Sequence, residues 1–372
     1  MAGGVLLIAV LVAGVLLFVA TDNREVPRMV ERAFHEKTGG QATFSGYYFS
    51  IFRHFPFLTL VLEDVVVRDP GYPVYQEELL RVDRLELRFQ FWQLLRRELE
   101  VGAVFLQGGG LSILKNGDGS YSNLDFLKAG ATGSARGAPE EVPALSIDRI
   151  KFEDFTFRYV DSLHLKDYHV ELRDTRIDLQ KEAGRRPIRL RGDWFFHGLT
   201  FKFPNGAFLH EQEAAVDWQL EWDAAKKRLA IGASTIEVEG VTYDISGYLG
   251  LGKPPYLKLV VQHPGIWLDQ GRQVVADNIR RGLRRFAIDR PVEVKVVVEG
   301  PLIPGKPAPT DVFFAVADAG VEVDRIPLTQ ASFSGHYYNC DPDGPVNPHS
   351  GCMEIDTFSG RIYDAISIRG SA

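Results

Sequence analysis

From Gln41 onward apolar residues recur at every second position, and that period decides the fold class. Leu58, Leu60 and Leu62 alternate with Thr59, Val61 and Glu63, and Leu85, Leu87 and Phe89 alternate with Glu86 and Arg88. The pattern continues through Val170 and Leu172, Ile177 and Leu179, Val216 to Trp222, Ile236 and Val238, Leu257 and Leu259, and Val292 to Val296. Successive side chains of a strand point to opposite faces, so each segment predicts a strand with one apolar and one polar face. Turn residues separate the segments at roughly 8- to 15-residue intervals, which predicts a meandering antiparallel sheet.

The alternation slips in places. Ile150 and Phe152 are followed by Phe155, Phe157 and Tyr159, one residue out of phase. Three segments, Val82 to Leu85, Ile147 to Ile150 and Val323 to Ile326, each enclose an Asp-Arg pair between apolar residues three apart. A β-bulge produces such a slip. The echo fits a weak internal repeat, and chance also produces patterns this short.

Composition sets limits. Of 372 residues 45% are hydrophobic and 24% charged, a globular balance that excludes global disorder. With 42 basic against 49 acidic residues the net charge is −7, so nothing supports a nucleic-acid partner.

Residues Met1 to Ala20 carry no charge and are almost wholly aliphatic from Val5 onward. About 20 apolar residues make a helix of roughly 30 Å, the thickness of a bilayer core. We assign 1–20 as a transmembrane anchor; the alternative is a cleaved signal peptide with an unusually long apolar region. Counting basic residues after the span places the body in the cytoplasm. The body's composition and its cysteine pair point instead to export. Residues 21–40 hold a juxtamembrane helix, with Val26, Val30, Ala33 and Phe34 on one face and Gly39-Gly40 as its stop.

The body divides into a β region over 41–128, an Ala/Gly/Ser/Pro-rich linker or loop over 129–143, and a continuing β region over 144–372. A short helix is expected at Phe91 to Glu98. A longer one near 270–286 carries the stripe Val274, Val275, Ile279, Leu283 and Phe286, with its arginines largely off that stripe on a solvated face; contact with anionic lipid headgroups is the alternative. Strand-like sequence runs to the last residues, as it would in the front part of a longer repetitive protein.

Cys340 and Cys352 flank a turn-rich loop, which suits a disulfide in an oxidising compartment. Free thiols are the alternative, and a metal site would have only His336 and His349 as further ligands. No nucleophile elbow, phosphate loop or zinc helix is present. Gly108-Gly109-Gly110 predicts a bend between strands. The segment Asn116 to Ser120 predicts a hairpin turn, because a calcium loop needs a Glu where Leu127 stands. We therefore expect no catalytic residues, no metal, no cofactor and no enzymatic activity.

A large amphipathic sheet must cover its apolar face. A second sheet does so in a sandwich; in a curled, open sheet the face lines a groove suited to an acyl chain, at about 0.8 kcal/mol per buried methylene. The expected lining is Leu58, Leu60, Leu62, Leu85, Leu87, Phe89, Ile150, Phe152, Phe155 and Phe157, and the alternative for each is closed core.

The order of elements also carries a resemblance. The anchor and the helix ending at Gly39-Gly40 are followed by Phe44-Ser45-Gly46 and the run Phe57 to Asp69. Next come Leu79 to Val82, Leu94 to Leu99, Val104 to Gly108, and Leu111 to Asn123. This resembles the N-terminal region of the AsmA family of envelope proteins, related to the TamB-like group. The likeness covers 1–128 well and later segments loosely. It implies a single-pass inner-membrane anchor with the body in the periplasm of a Gram-negative envelope. It also implies an elongated, curled β-groove that conducts phospholipid or supports outer-membrane assembly. The chain departs from the family in lacking a basic stretch before the anchor, and it is short for spanning an envelope alone. The expectation is thus a mainly β protein with an N-terminal transmembrane helix, a groove-like antiparallel sheet and a few short helices. Its expected partners are phospholipid acyl chains, the inner membrane and other envelope proteins. The rival expectation is a structural adaptor that recruits partners through its sheet edges.

Overall fold

A strand can place its apolar side chains in a core only if its neighbours do the same in register, and the fold follows from how far that condition is met. The computed structural model describes residues 32, 35, 39–50, 57–90, 101–127, 147–180, 185–202, 205–303, 306, 308–339, 351–362 and 366–370. Strands account for 68% of the described residues, so the expectation of a mainly β protein holds. The expected anchor over 1–20, the linker over 129–143 and the helix at Phe91 to Glu98 lie outside the described residues. Of 21–40, Arg32 and His35 are helical, and the Gly39 amide donates to the His35 carbonyl at 2.7 Å, where a stop was expected. Among the described residues no helix is long and apolar enough to cross a membrane.

Two units divide at Leu179 and Gln180. The first contains β1 (Gln41–Thr43), β2 (Gly46–Ser50), β3 (Phe57–Arg68), β4 (Leu80–Gln90), β5 (Val101–Gln107), β6 (Gly110–Lys115), β7 (Arg149–Asp161) and β8 (Lys166–Leu179). β1 and β2 lie along β3, β3 pairs with β4, and β4 pairs with both β5 and β6, all antiparallel. β5 and β6 continue one line along β4, bent at Gly108 and Gly109, both at positive φ. A Cβ on Gly109 would lie 2.2 Å from the Arg81 carbonyl oxygen, so glycine is required at this bend. β7 runs parallel to both β5 and β6 and antiparallel to β8.

This corrects one expectation: the sheet is mixed, not wholly antiparallel. The parallel pairing ties β7 and β8 into the first unit.

The second unit contains β9 (Arg185–Thr200), β10 (Gln212–Asp223), β11 (Arg228–Val238), β12 (Val241–Gly250), β13 (Tyr256–Ile266), β14 (Phe286–Ile288), β15 (Val292–Pro301), β16 (Thr310–Val323), β17 (Ile326–Asn339), β18 (Gly351–Ile362) and β19 (Ile366–Gly370). Here every pairing is antiparallel and follows chain order, except that β13 skips β14 to pair with β15, and β14 pairs with β16.

The phase slips have distinct origins. Asp64 at φ 51° interrupts β3, so Leu62 and Val65 both face the core opposite Leu85 and Val82. Asp154 at φ 50° does the same between Phe152 and Phe155. Asp324 and Arg325 are instead the two central residues of a tight hairpin, both at positive φ, with Val323 paired to Ile326. Ile147 and Asp148 precede β7, so that segment is a strand entry and not a bulge.

The expected helix near 270–286 is two helices, Leu268–Val274 and Asp277–Leu283, with Phe286 on β14. Val275 and Ala276 between them are extended. The arginines explain the break. Arg280 donates from Nε to the Arg272 carbonyl at 3.0 Å and from Nη2 to the Val275 carbonyl at 3.3 Å, capping the first helix. Arg272 Nη2 donates to the carbonyls of Leu283, at 2.7 Å, and Phe286. Asp269 and Asp277 each sit in a first turn, where the helix dipole favours a carboxylate. Arg272 and Arg280 are therefore staples and not part of a solvated face.

Candidate functional site

In the first unit the apolar face is closed. Leu58, Leu60, Leu62, Leu85, Leu87, Phe89 and Phe155 belong to one buried cluster with Val65, Val67, Val82, Val101 and Val104. Phe44, Tyr47, Phe49, Leu106, Leu111 and Phe152 pack against it. Leu60, Leu87 and Phe89 are 2%, 0% and 1% exposed. Side chains enclosed this fully offer no surface to an acyl chain. Seven of the expected lining residues are thus core here, Phe152 packs on that core, and Ile150 and Phe157 are half-buried. The polar face of β3 is covered as well: Val61 and Thr59 are buried, and the Arg88 guanidinium sits 3.8 Å from the centroid of the Phe105 ring.

In the second unit the face is open at one end. Residues directly opposite one another across paired strands share a face, so the register defines rows. Ala214, Val238 and Val241 form one row, and Val216, Ile236 and Tyr243 the next. Further along come Leu220, Ile231, Gly247, Leu259 and Val298. The last row is Trp222, Leu229, Leu249 and Leu257. Burial falls along this series. Ala214, Val238, Val241, Val216 and Ile236 are buried, whereas Leu220, Ile231, Leu259, Val298 and the whole of the last row are half-buried. At Gly247 a Cβ would lie 2.0 Å from the Lys258 carbonyl oxygen, so the third row has a gap where β12 and β13 approach.

The buried end lies beside the two helices. Gly271 faces Ile266, Ala276 is fully buried, and the Leu209 amide donates to the Val274 carbonyl at 3.2 Å. A cleft of about 300 Å³ there is lined by His210, Gln212, Arg272, Gln273, Arg280 and Arg284.

Aromatic rings occupy the middle of the face. Trp194 and Trp218 are 5.5 Å apart edge to face, and Tyr243 and His263 are 5.6 Å apart. The Trp218 Nε1 and the Tyr243 hydroxyl are buried and have no hydrogen-bond partner among the described residues. Burial pushes the Tyr243 phenol up to about 12, so its O–H is retained at neutral pH. The other face of the sheet is ionic. Arg189 donates to Asp217 at 2.8 Å, Lys258 meets Glu299 at 2.8 Å, and Arg185 meets Glu221 at 3.4 Å.

The arrangement suits adsorption of an apolar chain and offers no acid-base pair on that surface. Among the described residues no cluster of His, Cys, Asp or Glu could hold a metal. The Asn116 to Gly119 segment is the expected turn, its polar side chains taken up locally: Asp118 accepts from the Ser120 amide at 2.8 Å and Asn116 from the Tyr121 amide at 3.2 Å. Cys352 on β18 is disulfide-bonded, and Cys340 lies outside the described residues. The open rows were present in the sequence as apolar alternations over 216–222, 257–259 and 292–296. Alternation marks a face without saying whether it is covered.

No protein-family model matches the chain, and no curated protein or solved structure matches it either.

Proposed function

We propose that this is a membrane-anchored envelope protein, not an enzyme, whose second unit holds phospholipid acyl chains against its half-buried apolar face in lipid transport or outer-membrane assembly. The observation that carries the reading is the fall in burial from Val216 and Ile236 to Leu220, Ile231, Leu259 and Leu257 on one continuous face. A half-exposed apolar row regains hydrophobic free energy when an acyl chain covers it, at about 25 cal/mol per Å² removed from water. The resemblance of 1–128 to the AsmA family and the aliphatic first twenty residues support the anchor and a periplasmic body. A disulfide-bonded Cys352 fits an oxidising compartment.

The test is mass spectrometry of lipids that co-purify with the full chain. Near-stoichiometric phospholipid, lost in a folded Leu220→Asp/Leu259→Asp variant, is the expected result. A folded chain free of lipid would remove the reading.

The adaptor remains a second reading because β18 pairs with β19 only over Phe358–Ile362. Among the described residues its first half has no neighbour on that side, which leaves a strand edge able to accept a partner segment.

A further inference from the structure

The three connections at the open end of the apolar face form one surface of unusual composition. They are the β10–β11 turn at 224–227, the β12–β13 loop at 251–255 and the described residues between β15 and β16, which are 302, 303, 306, 308 and 309. Register places them side by side: Asp223 pairs with Arg228, Arg228 with Gly250, Gly250 with Tyr256, and Tyr256 with Pro301. Backbone bonds lace them together. The Leu251 amide donates to the Lys227 carbonyl at 2.8 Å, and the Leu302 amide donates to the Pro255 carbonyl at 2.7 Å.

The surface combines apolar tips with positive charge. Leu251, Leu302 and Ile303 are 42%, 38% and 39% exposed. Lys226, Lys227, Lys253 and Lys306 are exposed around them, and the three segments contain no Asp or Glu. Lys226 reaches Asp223 at 3.7 Å, and the Lys226 side chain stays exposed while that of Asp223 is mostly covered. The chain as a whole carries −7, so this end is basic against an acidic background. The connections at the other end of the same strands are of mixed charge: Glu211, Glu239, Asp269, Asp277 and Asp289 stand among Lys202, Arg272, Arg280, Arg281, Arg284, Arg285 and Arg290.

We infer that this end docks on an anionic lipid bilayer, with Leu251, Leu302 and Ile303 entering the headgroup layer and Lys226, Lys227, Lys253 and Lys306 facing the lipid phosphates. Exposed leucine and isoleucine tips beside lysines match the two demands of such an interface, apolar insertion and attraction to anionic headgroups. A purely electrostatic partner, such as a nucleic acid, would have no use for the exposed tips. The inference goes beyond the acyl-chain reading and does not require it, since docking needs only the loops.

The test uses the full chain held in a phosphatidylcholine nanodisc. Its capture by separate vesicles is measured with phosphatidylcholine alone or with added phosphatidylglycerol. The expected result is capture by the anionic vesicles only, weakened by salt. It should fall roughly tenfold or more when Lys226, Lys227, Lys253 and Lys306 are changed to Glu. An Ile303→Trp variant supplies a second reading, its fluorescence quenched by brominated acyl chains in anionic vesicles. Equal capture by both vesicle types, unchanged capture of the charge-reversed variant, or binding to polyanions without binding to vesicles would each overturn the inference. Lipid that still co-purifies with a chain that fails to dock would overturn the docking alone and leave the acyl-chain reading standing.

Discussion

Leu60, Leu87 and Phe89 in the first unit are 2%, 0% and 1% exposed, while Leu220, Ile231 and Leu259, at equally regular alternate positions in the second, stay half-buried. The strands have the same period and similar apolar residues. The difference lies in what reaches the face. In the first unit Phe44, Tyr47, Phe49, Leu124 and Phe152 converge on it. In the second, the two helices lie against Leu209 and Ile266, and burial falls from the row of Ala214, Val238 and Val241 to that of Trp222, Leu229, Leu249 and Leu257. One chemistry therefore makes a closed core in one place and a half-buried face in the other.

The largest expected effect separates the two directly. Leu87→Ala should cost about 3–4 kcal/mol, the usual loss for a leucine in a packed core, and Leu259→Ala about 1 kcal/mol, since its site is already half in water. Urea unfolding of both variants measures this, and equal losses would erase the distinction.

The helical end should respond next. Arg272→Ala removes the donors to the Leu283 and Phe286 carbonyls and should destabilise the second unit by about 2 kcal/mol, as for hydrogen bonds from a charged donor. Faster hydrogen exchange confined to 268–288 is the accompanying sign.

A pH effect is expected in the first unit. Burial raises the Asp161 pKa, but hydrogen bonds from His164, through its amide and Nδ1, and from Tyr159 outweigh it and hold the carboxyl below 3.8. Stability from this group is present above the unfolded value and lost as pH falls through the lower folded value. Acid unfolding of the β7–β8 hairpin should show this step, and Asp161→Asn should abolish it.

The smallest effect belongs to Tyr243→Phe. The hydroxyl is buried without a partner among the described residues, so its removal should change stability by less than about 0.5 kcal/mol. A loss above about 1.5 kcal/mol would mean that a bound group hydrogen-bonds it.

Local features of the fold were legible from residue order. Alternation located the strands, the phase change between Phe152 and Phe155 marked the irregularity at Asp154, and the glycines at 108–109 marked a bend. Features set by distant pairing were not. Nothing in β5 or β6 announces a parallel partner that begins at Arg149, so the expected sheet was wholly antiparallel. The Val-Asp-Arg-Ile pattern at 323–326 looks like that at 82–85, yet one is a two-residue turn and the other lies within a strand; neighbouring strands decide which. The expected lining from Leu58 to Phe157 rests on alternation, and alternation marks a closed core equally well. The arginine staples escaped because their partners are backbone carbonyls, which carry no residue signature.

The most direct test is photo-crosslinking of the full chain with a phospholipid bearing a diazirine in its acyl chain, followed by peptide mapping. The account predicts label on the peptides of Leu220, Ile231, Leu249, Leu257 and Leu259, and none on those of Leu60, Leu87 and Phe89. Label concentrated in the first unit, or spread equally over both, would contradict it.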